Sequence, residues 1–120
     1  MTRDLTAFAG LLGLTLLSAA TVGQPASQTF TGAITDDMCA TKAGHSQMQM
    51  GPTDGECTKA CVALHGAAYV LFDGKTVYAL SDQKTPEKFA GQRVRVVGSL
   101  DAKTKRIRVE SIAAQNTQQR

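Results

Sequence analysis

Apolar and polar positions alternate with a period of two in two segments near the C-terminal end of the chain. Val94, Val96, Gly98 and Leu100 share one face of residues 92–100, and Ile107 and Val109 do the same within residues 106–112, the pattern of half-buried strands. Residues 68–73 and 76–81 flank Asp73-Gly74-Lys75, a tight-turn signal that predicts an antiparallel hairpin. Earlier in the chain, residues 29–35 place Phe30, Gly32 and Ile34 on one side and Thr29, Thr31, Ala33 and Thr35 on the other, so a first strand is expected there. Helical signals are fewer. Thr53-Asp54-Gly55-Glu56 has capping-box spacing and predicts a helix that ends near His65, with Gly66 as a left-handed cap. On it Cys57, Ala60, Cys61 and Leu64 recur at i, i+3, i+4 and i+7, which turns both cysteines toward the core. Asp36 or Asp37 can cap a helical turn over residues 38–42, while Thr85 and Pro86 begin another that Gly91 ends.

In order these are a strand, an insertion with a helix, two strands, a short helix and two strands. That order predicts a mainly β fold, a small OB-like five-stranded barrel over residues 24–112, with residues 36–66 inserted between the first two strands. In OB folds the loops after the first and fourth strands border the binding face, which would put the insertion at a binding rim. Residues 113–120 are nearly all small or amide-bearing and are expected to form a flexible tail.

The first segment departs from the β pattern. No charged residue lies between Asp4 and Asp36, and residues 5–22 are rich in Leu, Ala and Gly behind Arg3, so residues 1–23 read as a signal peptide. Cleavage after Ala20 or Gly23 meets the small-residue preference, with Ala26 a further option. A retained anchor helix is the competing reading, weakened by Gly10, Gly13 and Gly23. Cleavage leaves 97 residues at an unchanged net charge of +3. The expected destination is periplasmic or extracellular, which places the three cysteines in an oxidising compartment. With 42% hydrophobic and 19% charged residues, the 120-residue chain is neither a disordered polyelectrolyte nor a multi-span membrane protein, and it is too short for a two-domain enzyme.

Candidate chemistry concentrates in the insertion. Cys39-x5-His45-x11-Cys57-x3-Cys61, with Met38, Met48 and Met50 nearby, matches no standard zinc-finger spacing. Cys57 and Cys61 lie one helical turn apart, with Cβ atoms about 5 to 6 Å from each other, too far for a disulfide in an intact helix. Three readings stand side by side. In the first, Cys39 pairs with Cys57 or Cys61, a staple worth about 3 kcal/mol by chain entropy, and one thiol is left over. In the second, Cys39, His45, Cys57 and Cys61 complete a tetrahedral shell for a zinc or copper ion, the only cofactors implied, with Met48 and Met50 favouring Cu(I). In the third, Cys57 near a helix N-terminus serves thiol redox chemistry, although CxxxC is not the CxxC redox motif.

Outside the insertion, Arg93, Arg95, Arg106 and Arg108 share the outward positions of the last two strands, with Lys103 and Lys105 at the turn. Aromatic residues for base stacking are few, so a solvated sheet face is expected and no nucleic-acid partner. No Ser/His/Asp triad, phosphate loop or paired carboxylates appear, and Asp36 and Asp37 are accounted for as turn and cap. The expectation is an exported, non-enzymatic binding domain for a small ligand or an envelope component, with a disulfide-stapled structural or adaptor role as the alternative.

Several segments also carry a family resemblance: residues 31–39 (TGAITDDMC), Gly44-His45-Ser46, Cys57-Thr58-Lys59-Ala60-Cys61-Val62, residues 66–71, Val77-Tyr78-Ala79-Leu80, and Phe89-Ala90-Gly91 through residues 94–98. Together they resemble an uncharacterised family of small secreted bacterial proteins, a domain of unknown function, over nearly the whole mature chain. Cys39, His45, Cys57 and Cys61 match its most distinctive positions. The resemblance implies export and a small β-rich domain, and no activity.

Overall fold

The computed structural model describes residues 18–20, 22–41 and 50–116. Five strands appear, β1 Gln28–Asp36, β2 Tyr69–Phe72, β3 Val77–Leu80, β4 Arg93–Asp101 and β5 Arg106–Ala114, with α1 Asp37–Thr41 and α2 Asp54–His65 between β1 and β2, and a 3-10 helix, Thr85–Phe89, between β3 and β4. Among the described residues no helix is long and apolar enough to cross a membrane.

The sheet closes in a ring in the order β1, β2, β3, β5, β4 and back to β1. All neighbours are antiparallel except β3 and β5, which run parallel through Ala79 opposite Arg106 and Leu80 opposite Ile107. The fold is therefore mainly β and OB-like, as the element order predicts. Closure leaves no sheet edge unpaired around the ring, and one face of every strand supplies the core. Ile34, Tyr69, Leu71, Leu80, Val94, Val96 and Ile107 fill it, each at most 4% exposed. Phe30 and Tyr78 close one side with ring centroids 5.4 Å apart.

Register explains one position that strict alternation misplaces. Ile107 and Val109 turn inward, so Ile112 would turn out, yet it packs on the core. The β4–β5 ladder shifts between Val97 and Gly98, which face Ser111 and Val109 and leave Glu110 as the extra residue of a bulge. The bulge resets the parity and returns Ile112 to the inner face. It also lets β5 continue to Ala114, over the first two residues of the expected tail, where the N–H of Gln115 still donates to the Arg93 carbonyl at 3.0 Å.

Turn chemistry follows the sequence with one change. Asp73 Oδ1 accepts from the N–H groups of Lys75 (2.8 Å) and Thr76 (2.7 Å), fixing the hairpin. Thr85 is the first residue of the 3-10 helix rather than its cap: Lys84 stands at the cap position without a side-chain bond, and Asp82 Oδ1 takes the N–H groups of Lys84 (2.9 Å) and Thr85 (3.0 Å).

Helix α2 begins as its capping segment requires. Thr53 is extended (φ −123°, ψ 160°), its hydroxyl accepts from the Glu56 N–H at 3.2 Å, and the same hydroxyl donates to the Glu56 carboxylate at 2.9 Å. Gly66 closes it at φ 67°, after which the Ala67 N–H donates to the Cys61 carbonyl at 3.2 Å. The buried stripe differs from the expected one. Cys57, Thr58 and Cys61 are buried and Val62 packs on the barrel core, while Leu64 is 71% exposed. The helix is rolled by nearly one residue position, which turns Thr58 and Val62 inward and Leu64 out.

The start of α2 lies backbone to backbone on the loop after the 3-10 helix. A Cβ on Gly55 would stand 2.6 Å from the Ala90 carbonyl oxygen, and both partners of that contact are main chain. Gly55→Ala is expected to lower stability by about 1–3 kcal/mol through overpacking, read as a lower midpoint in urea unfolding; an unchanged midpoint would show that the helix is not seated this closely.

Candidate metal centre

The chain leaves the barrel at the end of β1 and is tied back at once. Asp37 donates its N–H to the Ala68 carbonyl and accepts the Ala68 N–H on Oδ1, both at 3.0 Å. That two-way contact closes the β1–β2 connection at its base. One residue earlier, Asp36 Oδ1 accepts from the N–H groups of Met38 (3.1 Å) and Cys39 (2.9 Å), which starts α1 and orients Cys39. Helix α2 presents Cys57 and Cys61 to the same place, one turn apart on its inner face.

The Sγ atoms of Cys39, Cys57 and Cys61 all lie within 4.8 Å of one another. The three residues are 2%, 1% and 0% exposed. With Ala67 they form a second small core beside the barrel, against which Met38, Met50 and Val62 pack. Val62 also touches the barrel core, so the two cores are continuous through one side chain.

The electrostatics favour protonated thiols. Burial pushes the Cys39 thiol well above its ordinary range, and the neighbouring Asp36 carboxylate and Cys57 push it further. Cys61 is raised as well, first by burial and then by the Asp36 charge. Without a cation, these are inert thiols rather than nucleophilic thiolates. An ion entering the triangle would have to displace their protons.

Of the residues singled out in the sequence, the structure brings together Cys39, Cys57 and Cys61, with Met50 packed against them. His45 and Met48 lie outside the described residues, as does most of residues 1–23. Asp36 is the residue that sequence reasoning undervalued. It is 0% exposed, and its second oxygen, Oδ2, is buried without a hydrogen-bond partner among the described residues. A signal existed, since the inward alternation of Phe30, Gly32 and Ile34 lands on Asp36 when carried one step further. The hydroxyl of Thr58, next to Cys57, is likewise buried without a partner among the described residues.

The basic positions are where alternation puts them. Arg93, Arg95, Arg106 and Arg108 are all exposed on the outer face. Lys103, Arg106 and Arg108 border an open groove with Ser81, Ser99 and Leu100.

The molecule is thus a closed five-stranded β domain with a buried thiol triangle in its first connection. Residues 62–115 match the model of a family described as a protein of unknown function (DUF5818). The matched stretch holds β2 to β5 and begins just after Cys61, so the three cysteines lie outside it. No curated protein and no solved structure matches the chain.

The raised thiols fix how stability depends on pH. Between the unfolded thiol value of about 9 and the higher folded values, the native state keeps protons that the unfolded chain releases, so stability falls as pH rises. The slope is at most about 1.4 kcal/mol per pH unit for each of the two thiols. Urea unfolding of the reduced, metal-free protein at pH 7.5 and 10 is expected to show that loss, and substituting Cys39 and Cys61 by Ala should flatten it.

Proposed function

We propose that this protein is an exported, non-enzymatic binding domain in which Cys39, Cys57 and Cys61 hold a soft or borderline metal ion, Zn(II) or Cu(I). The observation that carries this reading is the convergence of three buried Sγ atoms within 4.8 Å of one another. Around a zinc ion with bonds of about 2.3 Å, tetrahedral sulfurs stand about 3.8 Å apart, so the triangle needs to contract by no more than about 1 Å. Thiolate donors select zinc, Cu(I) and similar ions over magnesium or calcium. The apolar wall of Ala67, Met38, Met50 and Val62 keeps water from the sulfurs and supports a closed site, suited to retention rather than catalysis.

Export rests on the apolar N-terminal segment behind Arg3. In an oxidising compartment a pair of exposed thiols would be lost to a disulfide, whereas burial together with a bound ion protects all three. A disulfide from Cys39 to Cys57 or Cys61 would consume two sulfurs and leave the third buried and idle.

Native mass spectrometry of the reduced protein, produced from the full sequence and offered Zn(II) or Cu(I), is expected to show one ion per chain. Cys39→Ser, Cys57→Ser and Cys61→Ser should each weaken retention by at least about tenfold. If the protein isolated without reductant is instead metal-free and two daltons lighter than the reduced chain, the disulfide staple replaces the metal reading.

A further inference from the structure

We propose that Asp36 supplies the fourth donor of the thiol centre, through Oδ2, and that this oxygen restricts the site to divalent ions of the zinc type. The inference rests on the metal-binding reading above and deepens it by naming the fourth ligand and the charge class of the ion.

Three observations converge on this carboxylate. It is completely buried, at 0% exposure, in a protein whose other exits from strands are capped by exposed aspartates such as Asp73 and Asp101. Its two oxygens are not equivalent. Oδ1 is committed to the N–H groups of Met38 and Cys39, whereas Oδ2 is buried with no hydrogen-bond partner among the described residues. An unpaired buried carboxylate oxygen is costly, and natural structures keep one where a cation or a proton meets it. Finally, the Cys39 N–H donates to Oδ1 at 2.9 Å, which seats the carboxylate beside the cysteine that α1 brings to the triangle.

Asp36 does not belong to the 4.8 Å sulfur triangle itself, and the Cys39 N–H bond places it beside that cysteine. The cap bonds anchor the side chain there through one oxygen and leave the other to serve the ion. Binding exchanges the three thiol protons for one M(II), with three protons released to solvent.

Charge decides which ion gains from this arrangement. Three thiolates and a carboxylate around a divalent ion leave a net charge of −2, as in ordinary four-cysteine zinc sites. Around Cu(I) the same four groups leave −3 in a buried pocket, and Cu(I) gains little from a hard oxygen donor. The carboxylate therefore strengthens Zn(II) binding and opposes Cu(I).

The test is Asp36→Asn in the full chain, since Asn caps a helix as well as Asp and keeps the acceptor for the Met38 and Cys39 N–H groups. The substitution is expected to weaken Zn(II) at least about tenfold, to shift the d–d bands of the Co(II)-substituted protein at unchanged thiolate charge-transfer intensity, and to leave Cu(I) binding equal or tighter. Zinc-edge X-ray absorption of the unaltered protein gives a second reading, independent of whether the variant folds: three sulfurs and one oxygen at about 2.0 Å, without the outer-shell pattern of an imidazole. Undiminished Zn(II) binding by the variant, or an imidazole pattern in the unaltered protein, would overturn the role of Asp36 alone. Failure of the unaltered protein to bind Zn(II), Co(II) and Cu(I) would overturn the centre itself.

Discussion

The contact between Asp37 and Ala68 is the constraint on which the thiol centre depends. Ile34, Tyr69, Leu71, Leu80, Val94, Val96 and Ile107 fill the barrel, and the three cysteines form their own cluster on the connection from β1 to β2. A connection of some thirty residues is floppy unless its ends are tied together. Here the two-way Asp37–Ala68 bond ties them where β1 ends and β2 begins. Only then can α1 hold Cys39 against α2.

The second fastening is at the other end of α2. The main-chain contact of Gly55 with Ala90 seats the helix on the loop after the 3-10 helix, and that loop is bonded in turn to β1 through Ile34, whose N–H donates to Gln92 and whose carbonyl accepts from Gly91. The residues that position the cysteines are thus distributed over both halves of the chain. The matched family stretch, residues 62–115, contributes the barrel wall and the Ala90–Gln92 shelf, and the segment before it contributes the sulfurs. A β domain with a tolerant first connection is a scaffold on which such a site can be added without disturbing the core.

Much of this was legible from local pattern. Period-two alternation located β1, β4 and β5, Asp73-Gly74-Lys75 the hairpin of β2 and β3, and Thr53 with Gly66 the two ends of α2, because each of these is decided by neighbours in sequence. What pattern could not supply came from tertiary contact. The bulge at Glu110 depends on the partner strand, and the roll of α2 that exposes Leu64 depends on Thr58 and Val62 finding the barrel. The sequence put three cysteines and a histidine in one segment, and only packing could show which of them share a pocket. Asp36 was missed for a related reason: an Asp before a helical turn is sufficiently explained as a cap, and its local role hid the buried second oxygen.

The metal-free second core is a poor hydrophobic core. Its members are three thiols and one alanine, with a carboxylate oxygen and a hydroxyl buried close by in sequence and unsatisfied among the described residues. Burial of so few carbons contributes little, and each unpaired polar atom costs about 1–3 kcal/mol. A domain near 100 residues has a thin margin to absorb such costs. On the proposed reading the ion reverses the balance, because the same groups that destabilise an empty pocket become its ligands, and binding energy becomes folding energy for the connection. A disulfide would not have this effect on Asp36, since it removes two protons and two sulfurs but leaves the carboxylate oxygen without a partner. The burial of Asp36 therefore bears on the choice between staple and metal as directly as the sulfurs do.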